Sequence, residues 1–415
     1  EIRRALYCAD ADAAFPIHRA VNGHPSIKAK IRAANVALTI DAHLPNLVGQ
    51  GGFEELAAGA ITQTAQPAGK WYCGGDVAVS ATTPLLGSRM AVWTPGASQS
   101  ALHQKLTGGM TKGKPYRVLL KLRAVTGATL TNALKVRIKL PNGNDLDTDW
   151  NPGAGQGSYN PGIIGTAAAW YLSGELVPEA DTATPSIEIV LDPANKGAAT
   201  TVDIDEIAVW EAIPVASLVA FQHNWDGAGG SGTFTVRGYR CSPSRASVAA
   251  ADYLELASLA AVAGSGPLRQ EFTAGIFPIY RIQIAADTRY QYEVGELLLG
   301  QSWPWPLPPH LPHDPRKRVY DATRRRAKSG AQTRTRYSTR REISGRVPWV
   351  SAAEVAIIDG IYRERHQEAG EPFAVYWSGV WDTPLLMIAA KDESALGHSS
   401  SPTDPDFEFD WEEVL

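Results

Sequence analysis

Apolar and polar positions trade places with a period near two along most of this chain. The pattern is clear in 116–123 (Tyr-Arg-Val-Leu-Leu-Lys-Leu-Arg), 135–140 (Lys-Val-Arg-Ile-Lys-Leu) and 186–191 (Ser-Ile-Glu-Ile-Val-Leu). A period of two sends alternate side chains to opposite faces of a strand, so these segments predict half-buried β-strands. Turn residues such as Pro141, Asn142, Gly143 and Asn144 separate them. Short strands with regularly spaced turns predict a sandwich. Further strands are expected at 232–239, 277–284 and 292–300, the last a near-continuous apolar run.

The end of the chain alternates too. Phe407, Phe409 and Trp411 fall on one face of a strand, and Glu408, Asp410 and Glu412 on the other. Upstream, 334–343 carries Arg334, Arg336, Arg340 and Arg341, with Arg336 and Arg340 sharing a face. An acidic and a basic strand can pair across a ladder, each opposite-charge pair adding a few tenths of a kcal/mol. These charges therefore predict an assembly surface. Between the two segments, Ser351 and Glu354 have the spacing of a capping box, and Val355, Ile358 and Tyr362 form a helical stripe that Gly370 ends. Strands are expected at 373–377 and 385–389.

Breaks divide the chain. His43-Leu-Pro45 closes a first strand-and-loop stretch, and Pro214 closes the unit that starts at Asn46. The reading is a sandwich over 46–213 inserted into a second β-domain built from 1–45 plus 215–302, since a surface loop tolerates insertion. Residues 303–333 read as a connector, Pro-rich and then basic. Five prolines within 303–312 forbid helix and central strand there. Residues 334–415 read as a small α+β assembly domain. The expected fold class is mainly β.

At 415 residues the chain is too long for one ordinary core, so two to four domains are expected. A net charge of −4 argues against general nucleic-acid binding. The basic run 316–346 holds twelve Lys/Arg against Asp321 and Glu342, yet lacks the interleaved aromatics of a single-strand platform. It reads as a surface for protein rather than nucleic acid. Cys8, Cys73 and Cys241 are odd in number and far apart, so free buried thiols are expected in a protein made in a reducing compartment. No apolar run reaches the ~18 residues of a membrane span, and no secretion leader is read. The chain opens at Glu1 rather than Met, so a trimmed N-terminus is the expectation.

Two resemblances sharpen this. Asn46-Leu47, Gly52-Phe-Glu54 and Trp71, paired with Ile204-Asp-Glu-Ile207, resemble the opening and closing signatures of carbohydrate-binding jelly-roll families; Lys70 stands where those families carry Gly. The resemblance implies a jelly roll over 46–213. It also implies that Glu54 and Asp205 help hold a structural Ca2+ together with backbone carbonyls; the alternative is two exposed acids at strand ends. Trp71, Trp93, Trp150 and Tyr159 are the candidates for a sugar-stacking platform, with Tyr72 and Trp170 in the same set. Each is either platform or sandwich core. Trp150 and Tyr159 lie in the Gly/Asn/Pro-rich loop 145–165.

Residues 280–284 (Tyr-Arg-Ile-Gln-Ile) and 292–300 (Tyr-Glu-Val-Gly-Glu-Leu-Leu-Leu-Gly) are similar to a discoidin-like segment of tailed-bacteriophage virion proteins. Those proteins continue with an Arg-rich strand, a short helix and a closing aromatic-acidic strand, the order found here. The resemblance implies a tail-tip or baseplate structural protein, assembled in the host cytoplasm into the virion tail. Its partners would be copies of itself in a threefold or sixfold ring, neighbouring tail proteins and a host-surface polysaccharide. The alternative is a carbohydrate-binding accessory protein of a polysaccharide-degrading system, which leaves the Arg-rich and acidic ending unexplained. No enzyme motif is present: no Gly-x-Ser-x-Gly, no phosphate-binding Gly-Lys-Ser/Thr loop, no His-Glu-x-x-His. His310 and His313 read as loop histidines, and Asp145, Asp147 and Asp149 lack Ca-loop spacing.

Overall fold

The computed structural model describes residues 6–7, 28–31, 38–94, 100–125, 130–131, 134–140, 145–146, 163–191, 201–225, 233–245, 248–259, 266–284, 292–302, 304, 318–326, 332–347, 351, 353–354, 373–377, 384–389, 396–397 and 406–414. Strands between 59 and 211 build two large antiparallel sheets, beside a two-stranded pair of Leu130–Thr131 with Ile163–Ile164. One runs in the order Asp145–Leu146, Leu134–Lys139, Ser186–Leu191, Ser100–Lys105, Trp71–Cys73. The other runs Ala169–Leu172, Tyr116–Val125, Thr201–Glu211, Met90–Trp93, Val77–Ser80, Gly59–Ala60. Inward residues of both, among them Trp93, Leu102, Leu120, Val136, Ile189 and Ile204, share one buried core. This is a β-sandwich.

Thr201–Glu211 is buried on both faces over most of its length. Val202 and Ile204 face the sandwich core until a bulge between Asp205 and Ala208 shifts the alternation. Beyond it Ile207 and Val209 take the core positions, while Ala208 and Trp210 turn to a second core. An inserted residue re-aims the side chains around it. Here that residue is Glu206, whose φ of 47° lies in the left-handed region.

The second core belongs to sheets that draw on segments before and after the sandwich. One has the order Leu6–Tyr7, Leu38–His43, Ile279–Ile284, Phe234–Tyr239, Tyr253–Leu259; another has Leu268–Gly275, Val215–Phe221, Glu296–Gly300; and Ala29–Ile31 pairs with Tyr292–Val294. Ile40, Leu218, Phe234, Tyr280 and Leu297 pack between them. Leu119, Ala208 and Trp210 of the sandwich lie in the same cluster, so the sandwich docks by the outer face of its six-stranded sheet.

The C-terminal sheet has the order Arg318–Arg326, Gln332–Val347, Asp406–Glu413, Leu385–Ala389, Phe373–Val375, with Leu396–Gly397 also on Asp406–Glu413. Phe409 and Trp411 are buried while Asp410 and Glu412 are half-buried, as alternation requires. Leu386 joins Val219, Phe221 and Leu298 in a third cluster, which seats this sheet on the second domain.

Three expectations need correction here. First, the basic strand does not pair wholesale with the acidic one. Only 342–347 meets it: Glu342 stands opposite Glu412, Ser344 opposite Asp410 and Arg346 opposite Glu408. Arg334, Arg336 and Arg340 instead stand opposite Arg324, Ala322 and Val319. Arg341 does reach an acid, with its backbone N–H on the Glu413 carboxylate at 3.1 Å and its guanidinium 3.6 Å away; the side chains of Arg334, Arg336 and Arg340 lie outside the described ones. The register instead sets Ile343 and Val347 opposite Trp411 and Phe407. Burying one such side chain contributes about 1.5–3 kcal/mol, against a few tenths for an exposed charge pair. Second, apart from a helical turn at 353–354, the described elements of the C-terminal domain are strands, and the α+β expectation is not supported. Ser351 and Glu354 do make reciprocal capping bonds of 2.6 and 3.3 Å, but Val355, Ile358 and Tyr362 lie outside the described residues. Third, residues 318–326 of the expected connector form a strand; its Pro-rich part, save residue 304, lies outside the described residues, as do His310, His313, Asp147 and Asp149.

Candidate functional site

The aromatic candidates separate by strand parity. In Trp71-Tyr-Cys73 the outer two positions face the core and the middle one faces out. Trp71 is 3% exposed, packs on Phe53 at 5.7 Å between ring centroids, and donates its Nε1–H to the Gln50 carbonyl. Trp93 is 0% exposed. Both are core, which corrects their assignment to a sugar platform. Trp150 and Tyr159 lie outside the described residues. Trp170 sits at the seam between domains, packed against the second core and donating Nε1–H to Asp252.

Tyr72 is the aromatic that faces outward. Across the five-stranded sheet its register partners run Tyr72, His103, Glu188, Arg137. Tyr72 stacks on His103 with centroids 5.0 Å apart. Glu188 collects His103 Nδ1 at 3.4 Å, Arg137 Nε at 2.8 Å and Lys139 Nζ at 3.1 Å. Burial lowers the His103 pKa, against the pull of Glu188. A half-buried, outward-facing ring beside a row of charged side chains has the chemistry to stack a pyranose and hydrogen-bond its hydroxyls. The signal for Tyr72 was present in the sequence as the alternate position to Trp71.

The acids implied as calcium ligands both accept hydrogen bonds from one stretch of backbone, Leu86 to Arg89. Glu54 accepts the Ser88 N–H at 2.8 Å and the Arg89 N–H at 3.4 Å, and also bonds the Ser88 hydroxyl. Asp205 is wholly buried; Oδ2 accepts the Leu86 N–H at 3.0 Å and Oδ1 the Glu206 N–H at 2.8 Å. Arg245, from the loop after Phe234–Tyr239 in the second domain, places Nη1 2.7 Å from Glu54 and Nε against Glu206. These are charge contacts rather than in-line hydrogen bonds. The guanidinium fills the space over Gly52, where a Cβ would collide with it.

Burial pushes the Asp205 carboxyl up to about 8, with the neighbouring Glu206 charge adding to the rise. Burial also raises Glu206, against the pull of Arg245. For Glu54 burial is outweighed by the two Ser88 bonds and Arg245, and its pKa falls. A second charged contact lies alongside. Lys121 Nζ of the sandwich meets Asp252 Oδ1 of the second domain at 2.8 Å, and the Ala249 N–H donates to Asp252 Oδ2 at 2.7 Å. Burial alone would raise Asp252, but its hydrogen bonds from Ala249, Lys121 and Trp170 outweigh that and lower it. Arg245, Lys121 and Asp252 had no local signature in the sequence, whereas Glu206 lies within the Ile204-Asp-Glu-Ile207 segment but was not singled out there.

Ca2+ needs six to eight oxygen ligands. Here both oxygens of Asp205 and one of Glu54 face backbone N–H donors, and the remaining approach is taken by a cation. Among the described residues no group of three or more His, Cys, Asp or Glu is arranged to hold a metal. The residues do not fit Ca2+. Cys73 and Cys241 are free and buried, and burial lifts the Cys241 thiol to about 12; Cys8 lies outside the described residues.

No family model matches this sequence, and no curated protein matches it. Parts of solved structures are similar. The CBM22-1 xylan-binding domain from Paenibacillus barcinonensis Xyn10C aligns at 11% identity over 41% of this chain and 96% of its own, with a TM-score of 0.27. An arabinose-bound α-L-arabinofuranosidase, MgGH51, aligns at 18% identity over 41% of this chain and 27% of its own, TM-score 0.31. The enzymatically active domain of bacteriophage CBA120 tailspike protein 4 aligns at 16% identity over 40% of this chain and 21% of its own, TM-score 0.27. This chain thus spans less than a third of the last two.

Proposed function

We propose that this chain is a structural protein of a tailed phage or phage-like particle, at the tail tip or baseplate, and that its work is assembly. It joins copies of itself in a closed threefold or sixfold ring and meets adjoining tail proteins. The outward Tyr72–His103 face adds a weak contact with host-surface polysaccharide. The reading includes no catalytic step.

The observation that carries it is the basic ribbon formed by Arg318–Arg326 and the first part of Gln332–Val347. Arg318 stands opposite Arg341, and Arg324 opposite Arg334. Like charges directly opposite destabilise a ladder, and a two-stranded ribbon is marginal alone. Between 318 and 341 there are nine Lys/Arg and one acid, Asp321. Among the described residues no third strand joins the ribbon at 332–340. An acidic neighbouring subunit relieves the repulsion and covers the edge. The motif order from 280 to 415 supports the same reading.

Negative-stain imaging and light scattering of the full-length chain test it. Closed rings for the wild type, lost in the double variant Arg334→Glu/Arg336→Glu, are expected. A wild-type monomer that is absent from purified tails but binds a glycan array would sink the proposal and favour the carbohydrate-binding accessory protein.

A further inference from the structure

We infer that Arg245 is the resident cation of the Glu54–Asp205–Glu206 site, so that a guanidinium from the second domain does the structural work that the sequence resemblance assigns to Ca2+. The inference concerns how the sandwich is held and does not depend on a role in a particle.

Three features support it. The first is position. Glu54 sits in the loop Gly52-Phe-Glu54 and Asp205 and Glu206 in the bulge of Thr201–Glu211, so the acids come from the two signature segments of the sandwich. Arg245 contacts Glu54 and Glu206, and its charge acts on Asp205 as well. The second is space. A Cβ on Gly52 would lie 1.8 Å from Arg245 Nη2, and one on Gly87 would lie 1.9 Å from Glu54 Oε1 and 3.2 Å from Arg245 Nη1. The backbone therefore closes around the guanidinium from two sides. The third is what the acids otherwise face. The backbone N–H groups of Leu86, Ser88, Arg89 and Glu206 point at their oxygens. Donors in those places repel a metal ion and suit carboxyl groups held by hydrogen bonds beside one monovalent cation.

The substitution changes how the domains are connected. A metal bound by the sandwich alone would stabilise the sandwich alone. A cation covalently part of the second domain ties the sandwich to it, because the site is complete only when the domains are docked. Arg suits the task better than Lys, since its fork presents several donors in fixed geometry to more than one carboxylate.

The test compares full-length wild type with Arg245→Ala and Arg245→Lys. Thermal unfolding is followed in millimolar CaCl2 and in EDTA, and Tb3+ luminescence reports occupancy of the site. Wild type is expected to show the same Tm in both solutions and no saturable Tb3+ signal. Arg245→Ala is expected to lose stability, to show no saturable Tb3+ signal and to regain no Tm on adding Ca2+, because the backbone N–H donors at the acids still oppose a metal ion. Arg245→Lys keeps the charge and is expected to lose less and stay indifferent to Ca2+. A wild-type Tm that falls in EDTA, or stoichiometric Tb3+ binding by wild type, overturns the inference even if Arg245→Ala does not fold. Equal losses in both variants overturn it too, since Arg245 would then act by packing rather than by its charge.

Discussion

Replacing Asp205 with Asn should flatten the stability of this protein against pH. Asp205 is 0% exposed, and its carboxyl is pushed from 3.8 up to about 8, by burial first and then by the Glu206 charge. Between about pH 4 and pH 8 the folded protein therefore keeps a proton that the unfolded chain has released. Folding takes up a proton in that window, and stability must fall as pH rises. The contribution is complete below about pH 4 and is lost as pH passes through about 8. Each pKa unit corresponds to about 1.4 kcal/mol, so a shift of about four units bounds the effect near 5 kcal/mol. For a domain of this size that is a Tm decline on the order of 10 °C from acid to mildly alkaline buffer.

Asparagine is neutral at every pH in this range. It should remove this slope, at a fixed cost of about 1–3 kcal/mol, because its amide meets an N–H where the carboxyl accepted one. The assay is thermal unfolding of both proteins by circular dichroism at half-unit steps from pH 4.5 to 8.5. Other groups contribute to each profile, including the raised Glu206 and the lowered His103. The difference between the two profiles isolates Asp205. Parallel profiles would refute the reasoning, since they would mean that Asp205 is ionised in the folded protein throughout.

Other substitutions probe the surrounding framework. Lys121→Met should cost about 3–5 kcal/mol in chemical denaturation, because it strips the ion partner from a 1% exposed carboxylate, Asp252. Tyr280→Phe should cost about 1–3 kcal/mol, since the buried hydroxyl donates to the Gly275 carbonyl at 2.8 Å and accepts the Phe277 N–H at 3.0 Å. Asn46→Ala should lower the midpoint of the same transition, because the Asn46 side-chain oxygen accepts N–H bonds from both Val48 and Val209, at 3.0 and 2.9 Å; an unchanged midpoint would mean water replaces them.

Strand positions were legible because a half-buried strand must alternate. The expected 186–191 coincides with Ser186–Leu191, and 116–123 lies within Tyr116–Val125. The same alternation held the outward identity of Tyr72, but bulk drew attention to Trp71, which a three-residue strand sends inward. The C-terminal register was misread because charge patterns stand out in sequence, while the deciding term was the burial of Ile343 and Val347, with Ile343 opposite the buried Trp411. Glu54 and Asp205 were found through a motif. Their partner was not, because Arg245 lies beyond the whole sandwich in sequence and belongs to no repeating pattern. A long-range ion pair leaves no local periodicity to read.

The seam between the domains joins an apolar contact to two charged ones of opposite sense. Leu119, Ala208 and Trp210 supply adhesion, and such a contact tolerates sliding because burial has little directionality. The charges do not tolerate it. Arg245 of the second domain must reach acids of the sandwich, and Lys121 of the sandwich must reach Asp252. Both second-domain partners stand on one loop, tied at its base by the Arg240 N–H to the Asp252 carbonyl at 2.9 Å. A shifted docking would leave two buried charges unpaired, each at a cost of several kcal/mol. Apolar area thus holds the sandwich on, and opposed charges fix its angle. Removing both hooks in Lys121→Met/Arg245→Met should loosen the angle before the domains part, seen as a larger radius of gyration by small-angle scattering below the unfolding transition. An unchanged radius would assign the orientation to the apolar contact alone.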